Sequence, residues 1–446
     1  MNDTIAAIAT AHGVASISII RLSGPQSLDI ARKIAPKATF TPRYAQLCDL
    51  FDAEGVLIDR GIVLRFQAPH SYTGEEIVEF QVHGGLVVAE QILESARRHG
   101  ARLAEPGEFS KRAFLNGKID LSEAEAIAKM IEAKSADAAR ILARQIKGEL
   151  GRFVEESREK LLRALAHSEV MIDYAEEDIP EDLIRGLEAQ LVELKDSLER
   201  IVQSSRRRRG LIEGFRVAIV GKPNVGKSSL LNAMLSYERA IVSDVAGTTR
   251  DTIEEQIRIG SHIVRIIDTA GIRQTEDRVE RIGVERSLAS LEEAEVVIAL
   301  FDASRPWERE DERILERIEA LRDKELIVAL NKTDLPRRLE EPRLEKFHPL
   351  EISARRDFSH LMEELQRRLD ALGQDEELML ASERQIEAVE ECARQIREAV
   401  APLKQGELEF FSYHIQEAVQ AISRITRPYE SEQILDRMFG EFCLGK

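Results

Sequence analysis

A segment in the middle of the chain has the residue types and the spacing of a phosphate-binding loop. Residues 221–228 read GKPNVGKS, which fits the pattern G-x-x-x-x-G-K-S between a strand and a helix. Its glycines let successive backbone N–H groups curl around an anion. Lys227 can then reach the β- and γ-phosphates of a nucleotide, and the Ser228 hydroxyl can ligate Mg²⁺. The residues expected around the phosphates are Asn224, Val225, Gly226, Lys227, Ser228 and Ser229.

Two later segments carry groups that can respond to a γ-phosphate. Residues 247–251 read GTTRD, and residues 268–271 read DTAG at the end of a predicted strand. Thr249 can close on Mg²⁺ and the γ-phosphate, Asp268 can hold Mg²⁺ through water, and the N–H of Gly271 can sense the γ-phosphate. The neighbouring residues expected in this part of the site are Thr269 and Ala270.

The nucleotide base is expected to meet two further segments that follow predicted strands. Residues 331–334 read NKTD, and residues 353–355 read SAR. The Asp334 carboxylate has two acceptor oxygens that match the N1–H and 2-amino donors of guanine, and adenine lacks this pair of donors. The backbone N–H of Ala354 suits guanine O6. We therefore predict a guanine site formed by Asn331, Lys332, Asp334, Ser353, Ala354 and Arg355.

The residue that usually orients the attacking water is missing from this set. In many GTPases a glutamine follows the glycine of D-x-x-G and orients water. Here that position is Ile272, whose side chain cannot form a hydrogen bond. Another group must therefore polarise water and neutralise the charge that develops during hydrolysis.

A sheet is needed to bring these segments together. Five runs rich in β-branched residues, several of them followed by helical stretches, predict a parallel sheet that is buried on both faces. The predicted strands are 215–221, 262–268, 296–302, 326–331 and 350–353. Before them, residues 1–120 alternate short strands with turns, which is typical of an α+β module.

Helical patterning covers most of the remaining chain. It begins at Asp120, where Ser122 and Glu125 have the spacing of a capping box, and it resumes over residues 383–446. We expect these two stretches to form one helical domain, with the α/β domain inserted between them. The run Arg206–Arg209 closes the first stretch. Cations suit a helix C-terminus, and an RNA contact is the alternative interpretation.

Composition limits the classes of function. The chain has 446 residues, a formal net charge of −17 and three cysteines. A polyanion repels a net acidic chain at long range, which disfavours non-specific DNA binding. No apolar run approaches the ~20 residues of a membrane span, and the first ten residues lack the pattern of a secretory signal. We therefore expect a cytoplasmic protein without a disulfide framework.

Several longer segments resemble one family of GTPases. They include GKPNVGKSSLLNAML, IDTAGIRQTEDRVERIGVERS, SYTGEEIVEFQVHGG, PGEFSKRAFLNGKIDLSEAEAIAKMI and the final FCLGK. Together they resemble the MnmE (TrmE) family of tRNA-modification GTPases, within the TrmE-Era-EngA-like group. The resemblance implies a multidomain α/β and α fold. An α+β folate-binding and dimerisation domain spans 1–118, a Ras-like P-loop G domain spans 214–372, and a helical domain combines 119–210 with 373–446.

The resemblance also implies that K⁺ takes the place of an arginine finger. A hard cation between phosphate oxygens stabilises charge much as a guanidinium would. The implied K⁺ ligands are Asn224, Ser243, Val245 and Thr248, in a loop that also holds Asp244, Ala246 and Gly247. The water-orienting residue is then Glu280, which by residue type alone would be an exposed helix charge. Together with Lys227 and Thr249 it makes up the implied catalytic set.

In the first domain the resemblance implies a site for 5-formyl-tetrahydrofolate at Arg21, Glu79, Lys118 and Lys446. A carboxylate such as Glu79 can pair with the N3–H and 2-amino donors of the pterin, while the cations can bind a carbonyl or the acidic tail. By residue type alone each could be a surface charge. The family's ending, here CLGK at 443–446, points towards this site and serves tRNA modification.

The resemblance finally implies partners and a reaction. The family forms homodimers and acts with the FAD protein MnmG (GidA), in a heterotetramer or larger complex, on the wobble uridine (position 34) of certain tRNAs. It adds an aminomethyl or carboxymethylaminomethyl group at C5, with folate as the one-carbon donor and GTP as the hydrolysed substrate. One alternative is a ribosome-assembly GTPase without one-carbon chemistry. Another is a membrane-remodelling GTPase, which would need a lipid-binding amphipathic segment.

Overall fold

A computed structural model describes residues 3–11, 13–173, 181–238, 255–267, 294–321, 324–373, 377–427, 432–440, 442 and 445. Internal contacts divide the chain into two units. Unit 1 comprises Met1–Lys129, Gln145–Arg158 and Ile422–Lys446, and unit 2 comprises Met130–Arg144 and Glu159–Ala421.

Both units combine strands with helices. The strands are β1 (Ile5–Ile8), β2 (Ile17–Ser23), β3 (Gln46–Phe51), β4 (Leu57–Phe66), β5 (Ile77–His83), β6 (Arg102–Leu103), β7 (Phe215–Val220), β8 (Glu255–Ile259), β9 (His262–Ile267), β10 (Val296–Asp302), β11 (Glu325–Asn331) and β12 (Leu350–Glu351). The α-helices of the described ranges are α1 (Ser27–Ile34), α2 (Leu86–Arg98), α3 (Glu108–Leu115), α4 (Leu121–Glu132), α5 (Ala136–Ile146), α6 (Glu149–Asp173), α7 (Glu181–Arg208), α8 (Gly210–Glu213), α9 (Lys227–Glu238), α10 (Arg309–Ala320), α11 (Ser359–Gly373), α12 (Glu383–Gln405), α13 (Leu408–Ser423) and α14 (Glu432–Gly440). A 3₁₀-helix covers Pro342–Phe347.

The sheet of unit 1 has the strand order β3-β4-β5-β2-β1-β6. Its neighbours are antiparallel, except that β6 runs parallel to β1. Successive side chains of a strand point to opposite faces, so Ala6 and Ile8 pack with α1 and α2, whereas Ile5 and Ala7 pack with Phe109 of α3. Helices therefore cover both faces, so the part of unit 1 before residue 120 has the predicted α+β character.

The start of α4 differs from the prediction. Asp120 Oδ1 accepts a hydrogen bond from the N–H of Glu123 at 2.9 Å, and Glu123 Oε2 accepts one from the N–H of Asp120 at 2.9 Å. The capping box is therefore Asp120 with Glu123, and the prediction of Ser122 with Glu125 was wrong by two positions. An ionised carboxylate caps a helix as well as a hydroxyl does and also interacts favourably with the helix dipole. Ser122 instead donates to Asp120 Oδ1 at 2.7 Å.

The C-terminal segment contacts the sheet of unit 1 at Gly445. This glycine is buried and has φ +92°, and a Cβ at this position would clash with the carbonyl oxygen of Ile8 at the end of β1. A side chain larger than hydrogen therefore cannot fit without moving the strand. Cys443 and Lys446 lie outside the described residues.

The sheet of unit 2 has the order β12-β11-β10-β7-β9-β8. Its first five strands are mutually parallel, and they correspond to the five predicted strands. The antiparallel edge strand β8 was not predicted, because its residues EQIRI include three polar ones and form only a short apolar pattern. The α/β prediction is thereby confirmed.

Helices cover both faces of this second sheet. Along β10, Val296, Ile298 and Leu300 pack on the side of α9 and α11. The alternate residues Val297 and Phe301 pack on the side of α10. Burial on both faces is the usual environment of a parallel sheet, and it leaves the carboxyl ends of the strands as the edge where ligands bind.

The arginine run 206–209 makes contacts within unit 2. Arg206 donates to Glu390 at 3.0 Å, and Arg209 donates to Glu213 at 2.8 Å. Arg208 is buried and donates to the carbonyl oxygen of Glu377 at 2.9 Å. These contacts give the arginine run a role in packing α7. In the part of the chain that the structure describes, no helix is long and apolar enough to cross a membrane.

Candidate functional site

The phosphate-binding loop follows β7 and leads into α9, as the motif requires. Two loop residues have left-handed backbone conformations, Asn224 with φ +62° and Gly226 with φ +108°. The Lys227 ammonium donates to the carbonyl oxygens of Gly221 at 2.7 Å and Lys222 at 3.0 Å. The loop thus curls around the start of α9, where free N–H groups and the helix dipole favour an anion.

Asn331 connects the phosphate loop to the base-binding segment. It lies at the end of β11 with 2% exposure. Its Nδ2 donates to the carbonyl oxygen of Val225 at 2.8 Å, and its Oδ1 accepts from the N–H of Ala354 at 2.9 Å. The nitrogen and the oxygen of the Asn331 amide therefore each form a hydrogen bond. Through these two bonds the side chain fixes the spacing between the phosphate and base subsites. Val225 itself has a fully buried side chain, so it can contribute only through its backbone.

Lys332 forms a second connection across the site, between the phosphate loop and Asp302. Asp302 was not among the site residues predicted from the sequence. The Lys332 ammonium donates to the carbonyl oxygen of Asn224 at 2.7 Å and to Asp302 Oδ2 at 2.6 Å. Asp302 ends β10, is 2% exposed, and also accepts from the hydroxyl of Ser304 at 2.6 Å. Burial alone would raise the pKa of Asp302, but the hydrogen bonds from Lys332 and Ser304 outweigh it and hold the pKa below its usual range. Asp302 is therefore an ionised partner that positions Lys332.

We predict that Asp302→Asn lowers the affinity for GTP and GDP by the same factor, about tenfold, since a hydrogen bond between charged groups contributes roughly 1.5–3 kcal/mol. The turnover number at saturating GTP should stay near that of the wild type, because Asp302 lies at the base end of the site. Equilibrium titration of both nucleotides checks this. Glu316→Gln removes the same charge from the exposed face of α10 and serves as the control. Wild-type affinity in Asp302→Asn would contradict the positioning role.

The Ser353 hydroxyl orients the Asp334 carboxylate, which is predicted to bind the base. Ser353 Oγ donates to Asp334 Oδ1 at 2.9 Å. This bond holds the carboxylate plane while its other oxygen still has free lone pairs, because a carboxylate offers about four acceptor positions. The predicted pairing with two donors of guanine is therefore compatible with the observed geometry.

These segments enclose one cavity of about 640 Å³. Its size falls within the range of roughly 300–1,000 Å³ that is common for small-molecule sites. The predicted residues that line it are Asn224, Gly226, Lys227, Ser228, Ser229, Asn331, Lys332, Asp334, Ser353, Ala354 and Arg355. Pro223 and Leu335 also line it and were not predicted. Convergence of these separate segments on one cavity makes it the candidate nucleotide site.

The predictions that fall on the switch segments lie outside the described residues. They concern the loop Ser243–Thr249, the segment Asp268–Gly271 and Glu280. The Ser228 hydroxyl, predicted to ligate Mg²⁺, and the Asn224 side chain, predicted to ligate K⁺, both lie in the cavity lining. Hydroxyl and amide oxygens are hard donors that suit both ions, so the described part of each ligand set fits.

A second and smaller cavity lies within unit 1. Its volume is about 290 Å³, and it is lined by Arg21, Phe66, Tyr72, Ile77, Glu79 and Ile127. The two charged residues face each other across neighbouring strands, since Arg21 of β2 is in register with Glu79 of β5. Arg21 Nε donates to Glu79 Oε1 at 2.8 Å. The remaining lining is aromatic or aliphatic, which suits a flat heterocycle with a polar edge.

Two aromatic rings, Tyr72 in the cavity lining and Phe109, lie close to the Arg21 side chain. The Arg21 guanidinium lies 5.8 Å from the ring centroid of Tyr72 and 5.6 Å from that of Phe109, distances at which a cation is attracted to an aromatic face. Tyr72 and Phe66 were not predicted, and no motif marks an aromatic wall in a sequence. Lys118 is exposed beside Gly74 and does not belong to the lining, and Lys446 lies outside the described residues.

Comparisons with known proteins point to one family. The sequence matches the family model described as GTP-binding protein TrmE N-terminus over residues 4–118 and the one described as MnmE helical domain over residues 121–443. A curated relative from Sulfurovum sp., tRNA modification GTPase MnmE, is 63% identical over 446 residues, which are 100% of this chain and 99% of the relative. The protein of the same description from Nitratiruptor sp. is 58% identical, with 100% of this chain and 99% of the relative covered.

Among solved structures, the chain resembles a variant of Aquifex aeolicus Era bound to GDP and AlF4−. The two are 30% identical over 41% of this chain and 66% of that chain, with a TM-score of 0.27. This score is too low to support a structural comparison. The family assignment depends instead on the two family models and on relatives that match the full length. From these matches we conclude that the chain belongs to the MnmE family of tRNA modification GTPases.

Proposed function

We propose that this chain is a K⁺-dependent GTPase that acts with an FAD protein of the MnmG type on C5 of the wobble uridine of certain tRNAs. The observation that carries the proposal is the Asn331 link, which joins a phosphate loop to a guanine-binding segment in one cavity. In this proposal the chain works as a homodimer in the cytoplasm. It divides into domains at 1–118, 119–210 with 373–446, and 214–372.

The described residues bind and orient GTP in this proposal. The backbone amides of the loop and Lys227 hold the phosphates, Ser228 takes part in Mg²⁺ binding, and Asp334 holds guanine. Asn224 would contribute its side-chain oxygen to K⁺, while its carbonyl oxygen remains bonded to Lys332. When bound, K⁺ would supply positive charge that stabilises the negative charge developing during hydrolysis. Thr249 and Glu280 complete the proposed catalytic set.

The K⁺ requirement leads to a direct prediction. We expect GTP turnover in KCl to exceed turnover in NaCl of equal ionic strength by about tenfold or more, because loss of one group that stabilises the transition state typically costs about 10²–10³ in rate. Nucleotide affinity is measured in both salts as a control. Asn224→Gly, which tolerates the left-handed backbone, should remove the difference between the salts. Equal wild-type rates in both salts would refute the K⁺ mechanism.

The cavity of unit 1 is proposed to bind 5-formyl-tetrahydrofolate, which supplies the one-carbon unit when bound. At about 290 Å³ the cavity can hold the bicyclic head while the acidic tail extends out of it. Glu79 retains one oxygen that is not bonded to Arg21, and this oxygen can accept from the pterin donors. The aromatic ring of Tyr72 would pack against the heterocycle.

The folate proposal is tested by titration. We expect the wild-type chain to bind 5-formyl-tetrahydrofolate and Glu79→Gln to bind it at least tenfold more weakly, since the amide replaces one acceptor with a donor. GTP affinity should not change. Glu90→Gln on the exposed face of α2 is the matched control. A wild-type chain that binds no folate would refute the proposed folate site.

A further inference from the structure

We propose that a buried ion pair between Lys222 and Asp311 positions the phosphate-binding loop, so that Asp311 is a positioning residue for guanine nucleotides although it lies outside the cavity. This inference rests on the nucleotide-binding part of the proposed function and deepens it. The loop motif specifies no residue type at position 222, and Asp311 belongs to a different helix.

The pair is short and almost fully removed from solvent. Lys222 Nζ donates to Asp311 Oδ2 at 2.7 Å and to Glu308 Oε2 at 3.0 Å. The side chains of Lys222 and Asp311 are 4% and 1% exposed, whereas Glu308 is 46% exposed. Burial alone would lower the pKa of Lys222, but the hydrogen bonds to the two carboxylates outweigh it and raise the pKa. Lys222 is therefore charged, and its charge is neutralised mainly by Asp311.

Asp311 is itself held firmly by the start of α10. Its Oδ2 accepts a hydrogen bond from the N–H of Glu308 at 3.0 Å, and the Glu308 side chain accepts from the N–H of Asp311 in return. This reciprocal capping box fixes the rotamer of the carboxylate. A ligand-binding loop anchored to such a rigid element keeps its shape before the ligand arrives.

Lys222 also contacts the phosphate site, and this contact is made by its backbone. Its side chain points away from the nucleotide cavity and is not part of the lining. Its carbonyl oxygen, however, accepts from the ammonium of Lys227 at 3.0 Å. Lys222 thus contacts α10 through its side chain and Lys227 through its backbone carbonyl oxygen. A loop fixed in this way loses less conformational freedom when it closes around phosphates.

The test compares variants of the full-length chain in titrations with GDP and GTP. Lys222→Met keeps the length of the side chain and removes its charge, and Asp311→Asn keeps the capping acceptor and removes the opposite charge. We expect both to raise the dissociation constants of GDP and GTP by about tenfold. Lys222→Arg, which can still pair with Asp311, should bind within about threefold of the wild type.

Controls separate positioning from general stability. Glu310→Gln removes an exposed carboxylate from the same first turn of α10 and should leave both dissociation constants unchanged. Circular dichroism identifies a temperature at which each variant is folded, and affinities are measured there. A purely structural role would lower the melting temperature and leave these affinities unchanged. If Lys222→Met does not fold, the comparison of Asp311→Asn with Glu310→Gln decides the question.

Two possible negative results would have different consequences for the positioning role and for the proposed function. Wild-type affinity for GDP and GTP in folded Asp311→Asn or Lys222→Met would overturn the positioning role and leave the proposed function intact. Failure of the wild-type chain to bind either nucleotide would overturn the proposed function itself, and the positioning role with it.

Discussion

Gly226→Ala should abolish guanine-nucleotide binding, with an affinity loss of about 100-fold or more. Gly226 has φ +108°, and a Cβ at this position would clash with Nδ2 of Asn331. That nitrogen is the atom which donates to the carbonyl oxygen of Val225. The substitution therefore combines backbone strain of about 1–3 kcal/mol with loss of the link between the phosphate and base subsites, at about 1–3 kcal/mol for the unsatisfied groups.

Titration with a fluorescent GDP analogue measures this effect at a temperature where the variant remains folded. Gly186→Ala is the matched control, because a Cβ at Gly186 on α7 would meet no atom within 4 Å. Alanine in a helix is favoured over glycine by about 1 kcal/mol, so this control should be at least as stable as the wild type. Nucleotide binding within tenfold of the wild type in Gly226→Ala would show that the loop can rearrange around an added methyl group.

Asp334→Asn should change the base preference of the site. The hydrogen bond from Ser353 to Oδ1 can persist, because an amide oxygen accepts as a carboxylate oxygen does. The second atom becomes an NH₂ donor, which faces the N1–H and 2-amino donors of guanine. Sites that depend on such pairing discriminate by about 10⁴–10⁵, so we expect GTP affinity to fall at least 1,000-fold.

Xanthosine triphosphate supplies the complementary measurement. Xanthine carries an oxygen acceptor at C2 where guanine carries the amino group, so it can accept from the new amide. We expect Asp334→Asn to bind this nucleotide more tightly than GTP, whereas the wild-type chain should prefer GTP. Competition titrations with both nucleotides on both proteins check the reversal. If the variant retained its preference for GTP, the carboxylate would not be the group that selects guanine.

The sequence predicted the nucleotide cavity because each contributing segment is short and continuous. The loop 221–228, NKTD at 331–334 and SAR at 353–355 each follow a strand of a parallel sheet. Parallel strands place their carboxyl ends at one edge, so local motifs together with chain order suffice to bring them together. Eleven of the predicted residues line the observed cavity, because each motif is short and lies at the end of one of these strands.

The sequence did not reveal residues that influence the site indirectly, by holding another residue in place. Asp302 offered a usable signal, because an acidic residue at the end of a buried apolar strand needs a partner. Lys222 and Asp311 offered none, since they are 89 residues apart and an ion pair between distant segments leaves no periodic pattern. The helix start at Asp120 was missed for a local reason, because several nearby residues could cap and the pattern does not rank them.

The sequence by itself therefore determined the parallel sheet and predicted the nucleotide chemistry that the sheet carries, namely a phosphate-binding loop and a carboxylate suited to guanine. These depend on backbone conformations and residue types within a few neighbouring positions. Only the tertiary structure decided which charges neutralise each other. Arg21 meets Glu79 because β2 and β5 pair in one register, and Lys222 meets Asp311 because α10 starts beside the loop. Pairing between distant segments depends on the packing of whole elements, and a single sequence carries no local signal of it.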